Sequence, residues 1–296
     1  MMVRTAFLLI LVPSLLSSQG SSSGLGFLQL PLVARNAALG GSTIADNSHF
    51  SSSLINPSLL VGSGSIELLV AHQEWIQDVQ SEFFAARVPL QSATLSLTVA
   101  TTAIRGIEIR EVPGPAEGSF TSRSAVFGAI AAFELSREMS AGLTVKYLYE
   151  KIFVDEASGM GLDLGLTAAL PFDGMRAGLS LLNLGSVEKF RDKSASLPSV
   201  VNGGIAHLIE SGDFRLRSTG ALSYELHRAT THLHLGVEGT YRSSISLRLG
   251  FLSGFESRGV SGGLGLHSGI FLVDYAFVPF ALGLGSAHLA AVGLRF

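Results

Sequence analysis

His232 and His234 stand two residues apart in a segment of alternating character, so both imidazoles project from one side of a strand, with Glu238 further along the same side. Imidazole is the commonest ligand for zinc or copper, which makes this the first place to look for metal chemistry. Glu238 lies too far along the strand to complete the set, so the spacing favours polar groups lining an interior. Glu238, Arg248, Asp274 and Arg295 read the same way, as polar lumen groups paired across strands. Arg35, in a run of small residues, is expected to pair with a lumen carboxylate such as Asp274. Serine, histidine and acidic residues for a hydrolytic triad are present, but no motif orders them. The chain has no His-Glu-x-x-His helix, no Gly-x-Ser-x-Gly elbow, no phosphate-binding Gly-x4-Gly-Lys-Ser/Thr loop and no EF-hand loop. No catalytic residue, cofactor or metal is expected, and the chain reads as a non-enzyme.

Composition sharpens the exclusion. Cysteine is absent, which removes disulfide scaffolds, thiolate zinc sites and thiol catalysis together. The net charge of -3 and a pI near 6.2 leave no footprint for nucleic acid. Hydrophobic residues make up 47% of the chain, charged residues only 15%, and the mean hydropathy is +0.43, high for a water-soluble domain. No apolar stretch reaches the roughly 18 residues of a spanning helix. A chain this apolar without a spanning helix points to a closed barrel as its way of meeting lipid.

The elements that would position the polar residues are strands. The closing segment 288–296 places Phe296, Leu294, Val292 and Ala290 on one face and Arg295, Gly293 and Ala291 on the other. Leu95, Leu97 and Val99 alternate with Thr94, Ser96 and Thr98; Ile245, Leu247, Leu249 and Phe251 with Ser246, Arg248 and Gly250; Phe271, Val273, Tyr275 and Phe277 with Leu272, Asp274 and Ala276. Strands are predicted over 65–73, 80–89, 92–101, 124–135, 140–153, 161–170, 174–184, 199–210, 214–226, 230–241, 243–252, 256–266, 269–279 and 286–296. That is fourteen, an even number, as single-chain bacterial barrels have. The segments 104–123 and 185–198 are the longest and most polar connections and read as extracellular loops; 170–174 and 241–243 read as periplasmic turns. The glycines, 34 in all, fall mainly within strands, where a tapering or sharply curved wall uses them. A β-sandwich or secreted lectin-like domain also alternates and is the competing fold. The fold class is therefore all-β: a transmembrane outer-membrane barrel of about fourteen antiparallel strands with an N-terminal plug or hatch.

Three regions follow. Residues 1–20 read as a signal peptide, with Arg4 ahead of the apolar core 6–16 and cleavage between Ser18 and Ser21; a buried N-terminal helix is the alternative. Residues 65–296 form the barrel. Between them, 21–64 shows little alternation and reads as a hatch with one or two short helices, against a periplasmic cap or disordered leader as alternatives.

The hatch carries a resemblance. Phe-Leu-x-Leu-Pro-x-x-Ala-Arg-x-x-Ala-Leu-Gly-Gly (27–41), containing Pro31, Arg35, Gly40 and Gly41, then Asn56-Pro57-Ser58, and Asp274-Tyr-Ala-Phe-Val-Pro279 resemble the PorV/PorQ family of bacterial outer-membrane proteins, the PorQ branch most. The middle segments 161–166 and 179–185 look like the same family. The resemblance implies a fourteen-stranded barrel similar to the fatty-acid transporter FadL, with a hatch bearing an Asn-Pro-Ala-like motif; Ser58 departs from it by one small residue. It further implies a bacterial outer-membrane location, contact with outer-membrane lipid, and a non-enzymatic part in type IX protein secretion or cell-surface attachment. Secretion-system or attachment proteins would then dock at 104–123 or 185–198, on loops dispensable for folding. The alternative is a FadL-like transporter of a hydrophobic small molecule, which requires an apolar pocket beside Leu28 to Leu39 and Leu54 to Leu60.

Overall fold

The computed structural model describes residues 25–62, 64–110, 114–190 and 193–296. The expected signal peptide 1–20 and the start of the expected hatch, 21–24, lie outside the described residues. The strands are β1 (Glu67–Glu74), β2 (Val79–Pro89), β3 (Thr94–Ile109), β4 (Gly118–Glu134), β5 (Met139–Ile152), β6 (Asp155–Ala169), β7 (Met175–Phe190), β8 (Lys193–Ser196), β9 (Val200–Ser211), β10 (Phe214–Glu225), β11 (Thr230–Tyr241), β12 (Ile245–Leu252), β13 (Val260–Ser268), β14 (Phe271–Pro279) and β15 (Ser286–Arg295). All pairings are antiparallel. β1 meets β15 from Glu67↔Arg295 to Glu74↔His288, and β7 pairs with both β6 and β9, so fourteen strands close into a barrel. Closure leaves the wall without a free edge, the condition for crossing lipid with strands. β8 stands outside this count and pairs only with the far part of β7.

Each of the fourteen predicted segments overlaps one wall strand. The two predicted long loops are different: most of 104–123 is the continuation of β3 and β4, and most of 185–198 is β7 and β8. Ile104, Ile107 and Ile109 supply the β-branched side chains that sustain β3, with Ile107 opposite Phe120 across a bulge where Gly106 has φ +67°. Polar composition had hidden that ribbon. The predicted turns at 170–174 and 241–243 are connections between strands.

The alternation places aliphatic and aromatic groups outside. Val70, Leu97, Phe127, Leu179, Leu247, Leu249, Leu264 and Val273 are exposed on the outer face, whereas Ser96, Thr98, Arg248, Asp274, Ala276 and Ala291 are buried. In water such a belt would be an exposed apolar patch of a size soluble monomers avoid; against acyl chains it is the face a barrel needs.

Residues 25–62 lie against the inward-facing side chains. The segment holds one α-helix, α1 (Ala34–Ala38), and three 3-10 turns, Gly26–Gln29, Phe50–Leu54 and Pro57–Leu60. Helix α1 ends in a Schellman motif: Gly41 N–H donates to the Asn36 carbonyl at 2.8 Å, and Gly40 N–H to that of Ala37 at 3.0 Å. Gly40 takes φ +63° there, and a Cβ on it would press on the Phe251 backbone, so glycine is required twice over. Asn56 caps the last turn, accepting from Ser58 N–H at 3.2 Å, with Pro57 at the first turn position.

The wall is moulded to this segment. Cβ atoms at Gly142, Gly165, Gly178, Gly204, Gly236, Gly250 and Gly263 would strike Pro57, Asn56, Ile44, Ile44, Ser42, Gly40 and Ala38 respectively. These inward glycines therefore mark where the inner segment approaches the wall too closely for a side chain.

Candidate functional site

The interior has two compartments with the inner segment between them. One lies toward the end that carries the short connections and Phe296, whose N–H donates to the Ile66 carbonyl at 2.9 Å. Here Arg35 is bonded to Asp46 at 2.6 Å and to Glu238 through Nε at 2.9 Å and Nη2 at 3.0 Å. Glu238 also accepts from Arg248 at 2.5 Å, Arg248 reaches Asp274 at 2.5 Å, and Arg217 reaches Asp46 at 2.7 Å. His49 faces Asp274 at 3.7 Å. All these groups are buried or nearly so, around a small chamber of about 120 Å³. The charges alternate in sign from the segment into the wall, so each carboxylate that burial would penalise meets a guanidinium.

The expected polar residues fall here with one change of partner. Glu238, Arg248 and Asp274 share this network, but Arg35 is bonded to Glu238 and Asp46 rather than to Asp274, because Arg248 already occupies the Asp274 carboxylate. Arg295 also lines the chamber but is outside the network, pairing with Glu67 at 3.1 Å, to which Arg87 also binds at 2.8 Å. Asp46, His49 and Arg217 went unnoticed in the sequence. Arg217 shares the inward parity of Thr219 and Ala221 on β10, which could have flagged it; Asp46 sits in irregular backbone and has no such parity.

The second compartment lies toward the other end. It is a cavity of about 480 Å³. Phe27, Leu28, Leu30, Pro31, Leu32, Leu54 and Ile55 of the inner segment form one side, with Phe83, Val126, Ile130 and Val278 of the wall. Polar groups line the opposite side and are bonded among themselves. Lys146 bridges Asp163 and the Asn183 side chain, both at 2.7 Å. His234 contacts the Gly40 carbonyl through Nδ1 at 2.7 Å and the Ser223 hydroxyl through Nε2 at 2.8 Å, which assigns Nδ1 as the protonated nitrogen. His232 contacts the Ser253 carbonyl at 3.1 Å and Glu225 at 3.3 Å. Both imidazoles are thus engaged as polar lining, and among the described residues no cluster of three metal-ligating side chains exists. The mouth is ringed by Trp75, Phe255, Arg258 and Phe280. Burial lowers the pKa of Arg258 from the ordinary guanidinium value, with Glu225 opposing the shift.

Helix α1 serves both compartments: Arg35 faces the ionic chamber while its neighbours Asn36 and Ala37 line the apolar cavity. Pro31, Gly40 and Gly41 also border the cavity, whereas Asn56 and Pro57 pack on β5 and β6.

No protein-family model matches the sequence, and no curated protein is similar to it in sequence. Similarity lies in the fold. The CymD monoaromatic hydrocarbon channel superposes with a TM-score of 0.60 at 13% identity, covering 89% of this chain and 96% of that one. The toluene transporter TodX of P. putida gives 0.60 at 11% identity over 90% and 96%. A FadL homologue of Pseudomonas aeruginosa gives 0.54 at 10% identity over 88% and 96%. The chain is therefore a closed fourteen-stranded antiparallel barrel whose fold is similar to those of outer-membrane barrels.

Proposed function

We propose that the chain is a transporter in the bacterial outer membrane, a conduit for a small hydrophobic molecule. The observation that carries this reading is the apolar cavity of about 480 Å³. It lies beside residues 27–32 and 54–55, where the transport alternative required a pocket. A preformed, largely apolar cavity with a few oriented polar groups is the form of a small-molecule site. The fold likeness to channels and transporters of hydrocarbons supports the same reading. Passage rather than reaction is the role proposed.

The inner segment occupies the centre of the barrel, so free diffusion of water and ions is not part of this proposal. Solute enters the cavity at the mouth and moves along the apolar side of the segment. The test is permeation of toluene into vesicles reconstituted with the full chain. Protein-containing vesicles should fill faster than empty ones, and Leu30→Trp, which places an indole in the cavity, should abolish the difference. Equal filling with and without protein would end the reading.

A part in type IX secretion or surface attachment rests on the resemblance of 27–41, 56–58 and 274–279 to PorV/PorQ proteins. The loops expected to dock its partners are mostly strand, which leaves short tips for that purpose.

A further inference from the structure

The mouth of the cavity is bordered by a stack that crosses four elements. The Phe255 ring lies on the His232 imidazole with centroids 4.4 Å apart and planes 13° from parallel. The Arg258 guanidinium carbon sits 4.4 Å from the Phe255 centroid and 5.6 Å from that of Trp75. Trp75 in turn meets Phe280 edge-on at 5.2 Å. Trp75 follows β1, Phe280 follows β14, and Phe255 and Arg258 lie in the connection between β12 and β13. The connection is tied down by a bridge between Arg258 and Phe280 and by the Ala281 N–H donating to the Ser257 carbonyl at 2.7 Å.

Arg258 differs in its partners from Arg35, Arg248, Arg217 and Lys146. Arg35, Arg248, Arg217 and Lys146 each hold a carboxylate at 2.5 to 2.9 Å. Among the described residues no carboxylate forms an ion pair with Arg258, and Glu225 is committed to His232 at 3.3 Å and Arg228 at 3.5 Å. Glu225 acts on it electrostatically without forming an ion pair, and the groups that touch the guanidinium are ring faces, whose quadrupoles attract it.

We propose that Arg258 is a specificity-determining residue of the conduit, selecting planar aromatic solutes over aliphatic ones of similar size by exchanging a ring partner, Phe255 or Trp75, for the ring of the solute. The proposal rests on the transport reading. A solute that enters at the mouth passes along the stack, and displacing a ring from the guanidinium leaves that face of the cation bare in a poorly hydrated place. An aromatic solute supplies a ring face in return. A saturated ring fills the same space but carries no quadrupole, so the cation stays bare while it passes.

Trp75 is the sole tryptophan of the chain, so intrinsic emission reports on the stack directly. The experiment is titration of the full chain, in phosphatidylcholine nanodiscs, with toluene and with methylcyclohexane. The expected result is a saturable change in emission with an apparent Kd for toluene roughly three- to tenfold below that for methylcyclohexane. Arg258→Met should bring the two values together by weakening toluene alone, and Arg258→Lys should keep part of the preference. Equal affinities in the unaltered protein, or a preference that survives Arg258→Met, would overturn the assignment. If both solutes permeate vesicles without discrimination, this inference fails and the conduit stands. If neither binds nor permeates, both fail.

Discussion

The two compartments of the lumen are built from opposite materials around one short helix. At the Phe296 end, Arg35, Asp46, Arg217, Glu238, Arg248 and Asp274 neutralise one another within a chamber of about 120 Å³. At the other, half-buried leucines and aromatic rings leave about 480 Å³ open. The difference teaches a division of labour. A buried charged group fixes its neighbours because any displacement strands an unpaired ion, whereas apolar surfaces can part and close again at small cost. The ionic compartment anchors the inner segment, and the apolar one is free to receive a solute.

The strongest way to break that contrast is to remove the hub of the network. Glu238→Ala leaves Arg35 and Arg248 without their shared carboxylate, and a loss of about 3–5 kcal/mol is expected. Urea unfolding of the barrel in lipid bilayers would measure it, and a loss below about 1 kcal/mol would show that the network anchors nothing. Next comes the moulded wall. Gly178→Val pushes a side chain into the Ile44 backbone, for which overpacking costs about 1–3 kcal/mol; protease cleavage within 33–60 should rise in this variant. Leu30→Trp in the cavity should change stability by less than about 1.5 kcal/mol while stopping solute flux, the converse of Glu238→Ala. The smallest effect is expected outside both compartments. Trimming the exposed tip 114–117 of the β3–β4 ribbon should leave stability and flux within error, and loss of surface-attached proteins in cells carrying that variant would revive the docking role.

Much of the wall is legible in the alternation of the sequence. Ile245, Leu247, Leu249 and Phe251 against Ser246, Arg248 and Gly250 declare both faces of β12, because a period of two admits only one assignment when one side is apolar. The interior assignment of Glu238, Arg248 and Asp274 followed from the same parity. The partner of Arg35 did not, since 203 residues separate it from Glu238 and only the closed wall brings β11 over helix α1. The ribbon 104–123 was misread because charged residues interrupt its isoleucines, and polarity masks pairing where neither face is buried.

The sequence by itself determined the strand count, the inward and outward faces and the presence of a non-strand segment near the N-terminus, because alternation and its absence are local properties of the chain. Tertiary structure alone decided that the inward glycines cradle the segment, that one helix divides an ionic chamber from an apolar cavity, and that Trp75, Phe255, Arg258 and Phe280 meet at its mouth. Those contacts join residues as much as 225 positions apart, Ala38 and Gly263, and nothing in local periodicity encodes a distance across a lumen.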